Sequence, residues 1–213
     1  MCSIIGTYDL KELEYLAEVN AYRGTISHSI AAVVDNKVVY LDRGENGLEV
    51  SNHEKDIPSD AYYIAHQQAP TSAEDNKNTI HPAEYAGRLL WHNGIIKEEQ
   101  IKKFKEHFKE DIDWDTAWLV RLMAQNNPSL LSDVDGGFAC MYYSEDGLWV
   151  FRNDLVALWH KGSTVSSTRW DHYDTSITYV PSGKIHKLSD NKEWIELEHT
   201  FQTKEKYFWS VPL

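Results

Sequence analysis

The sequence predicts an α+β domain in which helices cover layers of antiparallel sheet. Runs rich in β-branched and aromatic residues are joined by short polar turns at residues 35–36 and 145–147, a pattern typical of antiparallel hairpins. Residues 97–109 and 114–125 instead repeat apolar side chains at helical spacing. No internal repeat and no linker rich in Pro or Ser divides the chain, so we expect one domain over residues 1–213.

The individual strands and helices are predicted from these two patterns, the β-rich runs and the helical spacing. The first predicted helix begins at Leu10 and ends before Gly24. The second is charged and amphipathic and turns Ile101 and Phe104 inward, and the third is N-capped by Asp113. Predicted strands lie at residues 2–6, 28–34, 37–41, 61–66, 89–96, 138–143, 148–152, 156–160, 165–167, 177–180 and 194–197.

The chain is acidic and rich in aromatic residues. Its 213 residues carry 21 Lys plus Arg against 33 Asp plus Glu, which gives a formal charge of −12. This balance argues against binding to nucleic acid or to anionic membranes, whose recognition depends on cationic side chains. No apolar run approaches the length of a membrane span. Because only two cysteines occur, Cys2 and Cys140, we expect a reducing, cytoplasmic location and no disulfide framework.

Cys2 is the first candidate for chemistry because of its position. Initiator Met is normally removed before a small side chain, and removal would leave Cys2 with a free α-amine beside its thiol. An α-amine has a pKa of about 7.7 to 8.0, so near neutral pH part of it can act as a base for the thiol. The alternative is that Cys2 is a small apolar residue at the start of a strand, and position alone favours that alternative.

The Asn93-Gly94 pair interrupts an apolar run at residues 89–96 and has two interpretations. Asn-Gly is a strong signal for a hairpin turn, and the pair taken alone favours a turn. Alternatively, the Asn amide and the Gly backbone N–H could stabilise a tetrahedral oxyanion, since Gly allows close approach to a ligand.

Three histidines, His66, His81 and His92, raise the question of a metal site. They form no short-spaced pair and have no cysteine nearby, which is not the pattern of a zinc site. We therefore expect neither a metal nor another cofactor in this chain.

Further short motifs follow Cys2 along the chain. They are Tyr22-Arg23-Gly24, His66 with His81-Pro82, His92-Asn93-Gly94-Ile95-Ile96, Asp115-Thr116, Gly136-Gly137-Phe138-Ala139 and Pro181-Ser182-Gly183. Together with the opening residues 2–6, they resemble the class II glutamine amidotransferases, the glutaminase domains of the N-terminal-nucleophile (Ntn) hydrolases. Each motif is short, but their order over residues 2–188 is specific and favours the catalytic interpretation of Cys2.

This resemblance implies a four-layer αββα sandwich of two mainly antiparallel sheets, the Ntn-hydrolase fold. It also implies hydrolysis of the glutamine side-chain amide, in which Cys2 attacks the amide carbon and its α-amine transfers the proton. Asn93 and Gly94 would form the oxyanion hole. Ammonia would leave, and water would resolve the γ-glutamyl thioester.

The substrate-binding residues implied by the resemblance include one clear departure. Asp115 would bind the α-ammonium of the substrate, and Thr71 and Ser72 would lie along the pocket. Gln68 stands where the family has an Arg that holds the α-carboxylate, and Gln lacks the planar bidentate cation. Arg23 is the nearest cation within the motifs that could substitute.

Three functions are compatible with these residues. The first is a glutaminase that acts on glutamine and delivers ammonia to a separately encoded synthetase. The second keeps the fold and the nucleophile but acts on another amide or γ-glutamyl compound, as Gln68 permits. The third is a non-catalytic binding domain of the same fold that recognises a partner through its aromatic surface.

Overall fold

Two antiparallel sheets face each other in the structure, a computed structural model that describes residues 2–69 and 79–204. The strands, in chain order, are β1 (Ser3–Thr7), β2 (Ser27–Val34), β3 (Lys37–Glu45), β4 (Tyr62–Gln68), β5 (Ala83–Tyr85), β6 (Arg88–Ile96), β7 (Gly136–Ser144), β8 (Gly147–Arg152), β9 (Trp159–Lys161), β10 (Thr164–Ser166), β11 (Thr178–Tyr179), β12 (Lys184–Leu188) and β13 (Trp194–Thr200). The helices are α1 (Leu10–Asn20), α2 (Glu98–Phe108) and α3 (Asp115–Met123). One sheet has seven strands in the order β11-β9-β10-β1-β4-β2-β3, and the other has six in the order β13-β12-β8-β7-β6-β5.

The gap between the two sheets holds the central core. Inward side chains of the seven-stranded sheet, such as Ile4 and Tyr62, pack against Trp91 and Met141 of the six-stranded sheet. Full burial of each large apolar side chain stabilises the fold by roughly 1.5 to 3 kcal/mol. This packing holds β1 and β6 face to face, which decides where the side chains at the ends of these strands project.

α1 covers the outer face of the seven-stranded sheet. Asp9 caps it by accepting hydrogen bonds from two backbone N–H groups of the first turn. Leu13 and Leu16 are fully buried in one cluster with Ile5 of β1. The helix predicted from Leu10 is therefore confirmed.

α2 and α3 cover the outer face of the six-stranded sheet. Phe104 of α2 and Trp118 of α3 pack in one cluster with Cys140 of β7. The prediction that Asp113 caps α3 is wrong, because its carboxylate forms an ion pair with Lys105 of α2 and the helix begins without a side-chain cap.

None of the helices in the described parts of the chain is long and apolar enough to cross a membrane. The layers run helix, sheet, sheet, helix, which confirms the predicted α+β αββα sandwich.

Two local turn signals have opposite outcomes. The hairpin predicted at residues 35–36 is confirmed, since Asp35 and Asn36 both adopt the positive φ that a tight hairpin turn requires, at 48° and 56°. Asn93 and Gly94 instead lie within a continuous β6, where both residues pair with β7. The turn interpretation of Asn93-Gly94 is therefore wrong, and so is the interruption predicted in this strand.

Candidate active site

Cys2 projects into the gap between the two sheets from the start of β1. Ile4 pairs with His66 of β4 and belongs to the inter-sheet core. Since side chains alternate along a strand, Cys2 faces the same side as Ile4. Cys2 is 5% exposed, and its Sγ lies 4.0 Å from the Ala69 carbonyl oxygen.

The surroundings of Cys2 keep its thiol protonated. Burial raises the pKa of the Cys2 thiol, and the nearby Asp115 carboxylate raises it further. The contact with the Ala69 carbonyl and the charge of Arg23 act in the opposite direction and do not outweigh burial. At neutral pH the sulfur therefore needs a base before it can attack a carbonyl carbon.

Asn93 reaches the same gap from the opposite sheet. It is fully buried, and its Nδ2 lies 3.4 Å from the Ser167 hydroxyl oxygen. That oxygen also accepts a 2.9 Å hydrogen bond from the backbone N–H of Ile4, two residues from Cys2. Ser167 therefore connects the oxyanion-hole candidate on β6 to the strand that carries Cys2.

The side-chain oxygen of Asn93 takes no part in this contact. Within the described residues its Oδ1 is buried and makes no hydrogen bond. A half-turn of the amide would point Oδ1 at the Ser167 hydroxyl and leave Nδ2, a donor, on the open side. A developing negative charge in the gap would favour that orientation.

Gly94 adopts a backbone conformation that other residues avoid. Its φ is 145°, and a Cβ there would lie 2.0 Å from the Gly137 carbonyl oxygen. Only glycine fits, because β6 and β7 approach closely at this point. The missing side chain thus lets β7 lie close against β6 beside Asn93.

Gln68 is held by a chain of buried polar groups at the end of β4. Its Oε1 lies 3.2 Å from His81 Nδ1, and His81 Nε2 lies 3.0 Å from the Thr116 hydroxyl. His92 Nδ1 lies 3.2 Å from the same hydroxyl. These contacts form one consistent series of hydrogen bonds when His92 Nδ1–H donates to the Thr116 hydroxyl, that hydroxyl donates to His81 Nε2, and His81 Nδ1–H donates to Gln68 Oε1.

Two neutral histidines, His81 and His66, lie next to Gln68. His66 stacks on His81 with ring centroids 3.9 Å apart, and its Nε2 donates to the His92 carbonyl oxygen at 3.1 Å. Burial lowers the pKa of His66 to about 3 and holds the pKa of His81 well below its usual range. Neither ring can supply the positive charge that is missing at Gln68.

Arg23 lies beside the backbone of the candidate nucleophile, Cys2. Its Nε donates a 2.9 Å hydrogen bond to the Cys2 carbonyl oxygen. The following segment is held at the end of β4, where the Ile26 N–H donates to the Gln68 carbonyl oxygen at 3.1 Å. Arg23 is thus a cation within the site, fixed by the backbone of Cys2.

Asp115 is an ionised carboxylate at the first turn of α3. Its side chain is 25% exposed and accepts hydrogen bonds from the backbone N–H groups of Ile96 and Thr116, at 3.2 and 2.7 Å. Burial acts to raise the pKa of Asp115, but the His92 ring and the two N–H groups outweigh it and lower the pKa. A charged, partly accessible carboxylate is suited to bind an ammonium group.

The predicted residues come together from distant parts of the sequence at one end of the inter-sheet gap. This holds for Cys2, Arg23, Gln68, Asn93, Gly94 and Asp115. Thr71 and Ser72 lie outside the described residues. Sequence reasoning misses Ser167 and the linking role of Thr116, since no local pattern marks a hydroxyl that bridges two sheets.

Comparisons with solved structures identify the architecture. Glutamine phosphoribosylpyrophosphate (PRPP) amidotransferase from B. subtilis, complexed with ADP and GMP, aligns with a TM-score of 0.64 at 19% identity over 92% of this chain and 49% of its own. A structure described as the allosteric regulatory enzyme of purine biosynthesis aligns with a TM-score of 0.65 at 16% identity, over 92% of this chain and 48% of its own. A glutamine aminotransferase class-II domain protein from Silicibacter pomeroyi aligns with a TM-score of 0.54 at 10% identity, over 96% of this chain and all of its own.

These likenesses are in structure and not in sequence. No protein-family model matches the chain, and a search of curated proteins gives no significant match. The chain spans about half the length of the first two structures. The comparisons therefore show the fold, which is the α+β Ntn-hydrolase sandwich that the resemblance implies.

Proposed function

We propose that this chain hydrolyses the side-chain amide of glutamine, with Cys2 as an N-terminal nucleophile, and releases ammonia for a separately encoded synthetase. The observation that carries the proposal is the convergence of Cys2 and Asn93 on one gap from opposing sheets, linked through Ser167. A buried thiol facing a buried amide donor across the gap matches the needs of acyl transfer.

The first step forms a thioester. With Met1 removed, the unprotonated α-amine of Cys2 takes the thiol proton, and Sγ attacks the amide carbon of the substrate. The carbonyl oxygen becomes an oxyanion that Asn93 Nδ2 and the Gly94 N–H stabilise. The tetrahedral intermediate collapses when the α-ammonium returns its proton to the leaving nitrogen, which departs as ammonia.

The second step regenerates the enzyme. The α-amine of Cys2 takes a proton from water, which attacks the thioester carbon through a second oxyanion. Sγ leaves as the thiol after the ammonium returns that proton, and glutamate is released. Because the pKa of the Cys2 thiol is raised, we expect the rate to rise with pH as the α-amine loses its proton, around its ordinary pKa of about 7.7 to 8.0.

We assign recognition of the α-ammonium and α-carboxylate groups of glutamine to two charged side chains. Asp115 would bind the α-ammonium, since it is ionised and partly exposed. Arg23 would attract the α-carboxylate from its position at the Cys2 carbonyl. Thr71 and Ser72 are proposed to line the pocket on the strength of the family motif alone.

We propose that the ammonia is consumed by a partner protein. The aligned part of this chain corresponds to 49% of the B. subtilis amidotransferase, and the other half of that enzyme has no counterpart in the residues aligned. In our proposal the reaction that consumes the ammonia belongs to a separately encoded synthetase.

Glutamate release tests the proposal. We expect Met1-free protein to convert glutamine into equal amounts of glutamate and ammonia, and Cys2→Ala to reduce release to background. Cys140→Ala is the matched control, because Cys140 is also buried but lies on the outer face of the six-stranded sheet. Undiminished release by Cys2→Ala would contradict the proposal.

A second candidate keeps the nucleophile and changes the substrate. Gln68 and its neutral histidine neighbours offer no cation where an α-carboxylate would be held, which favours an amide or γ-glutamyl compound without a free α-carboxylate. Gln68→Arg separates the two candidates. If glutamine turnover rises strongly, the native substrate lacks this group; if turnover is unchanged or falls, this candidate loses its support.

A further inference from the structure

A second cluster of polar side chains lies on the outer face of the seven-stranded sheet. We propose that His28, Asp42 and His53 bind a divalent first-row transition metal, of which Zn²⁺ is the test ion. One ligand atom from each of the three residues lies within 4.8 Å of the other two. Two imidazoles and a carboxylate suit zinc, iron or nickel better than calcium or magnesium, which prefer all-oxygen sites.

Strand register brings two of the three ligands to the same face. Across the β2–β3 pair, His28 stands opposite Gly44, and Ile30 stands opposite Asp42. Because facing residues share a side of the sheet and side chains alternate, His28 and Asp42 both lie on the outer face with Ile30. His53 ends the short 3-10 turn Val50–Asn52, which folds back over this edge of the sheet.

Each histidine has a hydrogen-bond partner that fixes its ring. His28 Nδ1 lies 3.0 Å from the Asn46 carbonyl oxygen, and His53 Nδ1 lies 2.9 Å from the Tyr40 hydroxyl. When Nδ1–H donates to these oxygens, Nε2 of each ring keeps its lone pair for a metal. Metal-binding histidines almost always show this second interaction, which orients the ring and selects the tautomer.

Space at the ligand nitrogen depends on Gly44. A Cβ at that position would lie 2.7 Å from His28 Nε2, so any other residue would crowd the nitrogen that we assign to the metal. His28 is otherwise only 9% exposed. With neutral rings the site carries one negative charge, which partly balances a divalent cation, and three protein ligands leave at least one position for water.

The site is separate from the candidate active site. His28 pairs with Gln67 of β4, whose side chain accepts from Ser3 Oγ at 3.1 Å, whereas the side chain of the next residue, Gln68, contacts the buried His81 in the candidate active site. The metal would therefore lie on the opposite side of the sheet. We infer a structural role, in which the metal clamps β2, β3 and the segment that carries His53.

Zinc titration of the full, chelator-treated chain tests this inference. Calorimetry is expected to show one site for Zn²⁺ that Mg²⁺ does not occupy, and Asp42→Asn and His53→Ala are each expected to weaken binding at least about tenfold. His172→Ala is the control, since His172 is exposed and is not one of the three clustered residues, and it is expected to bind zinc like the parent chain. The metal-free melting temperature of each variant verifies that it folds.

The outcome does not depend on the proposed amidase activity, because binding is measured directly. Zinc is expected to raise the melting temperature of the parent chain but not that of Asp42→Asn or His53→Ala. Absence of zinc binding by the parent chain would overturn the inference. So would zinc binding of parental affinity in both variants, which would locate the metal elsewhere, for example at Cys2.

Discussion

The Asn93 side-chain nitrogen lies 3.4 Å from the Ser167 hydroxyl oxygen, and that contact joins the two sheets beside Cys2. Ser167 is held in turn by both backbone groups of Ile4, whose N–H donates to Oγ at 2.9 Å and whose carbonyl accepts from the Ser167 N–H at 3.0 Å. The hydroxyl therefore sets the position of the amide relative to the strand that carries the nucleophile.

Removal of this hydroxyl should affect rate more than substrate binding. We expect Ser167→Ala to lower kcat by about tenfold with little change in KM, because Asn93 loses its orienting contact. Ser166→Ala is the matched control, since its hydroxyl accepts from Asn20 and not from Asn93. Both variants should lose about 1 kcal/mol of unfolding free energy, but only Ser167→Ala should lose rate. Equal kcat values for the two would contradict the positioning role.

Asn93 itself should carry a larger share of the rate. We expect Asn93→Ala to lower kcat by about 10²- to 10³-fold, since it removes one oxyanion donor. KM for glutamine should change little, because the interaction strengthens only as charge develops. Steady-state kinetics checks this expectation, and a loss smaller than tenfold would remove Asn93 from the oxyanion hole.

Gly94 should tolerate no side chain. A Cβ would lie 2.0 Å from the Gly137 carbonyl oxygen at a φ of 145°, so Gly94→Ala should lower the unfolding free energy by more than about 2 kcal/mol. Gly47→Ala is a suitable comparison, because the nearest atoms to its Cβ lie 3.8 Å away, and we expect a change below about 1 kcal/mol. Urea unfolding measures both, and similar values would show that the strands separate easily at Gly94.

The buried histidines should make the fold sensitive to acid. The pKa of His66 falls from 6.5 to about 3 on burial, so between these values the unfolded chain binds a proton that the folded chain does not. Stability should therefore be intact above pH 6.5 and decline as pH falls toward 3. His66→Gln should shrink the difference in unfolding free energy between about pH 7 and about pH 4.5 by roughly 2 to 3 kcal/mol. The exposed His172→Gln should leave it unchanged, and an unchanged difference in His66→Gln would contradict the assignment.

Local sequence signals predict the fold well where the structure is local. The hairpins at residues 35–36 and 145–147 are confirmed because tight turns depend on the turn residues themselves. β12 lies outside the predicted strands, since three of its five residues are Lys or His and leave only two apolar positions. Asn93-Gly94 shows the opposite failure: a strong turn signal is overridden by pairing with β7 along the whole of β6.

The candidate site is only partly predictable, because its contacts join distant segments. Cys2 and Asp115 follow from their places at element termini and from the family motifs. Ser167 bonds with Asn93 across 74 positions, and no single-chain pattern encodes such a contact. The inward turn of Gln68 toward His81 likewise depends on how β4 meets the six-stranded sheet.

In the proposed mechanism Cys2 acts together with its own α-amine, so the state of the N-terminus should decide the activity. The same chain can be prepared with Met1 removed and with Met1 retained, the two forms being verified by intact mass, and glutamate release measured for each. We expect activity only in the Met1-free form, with a rate that rises with pH near the pKa of the amine, about 7.7 to 8.0. Equal specific activities of the two forms would contradict it.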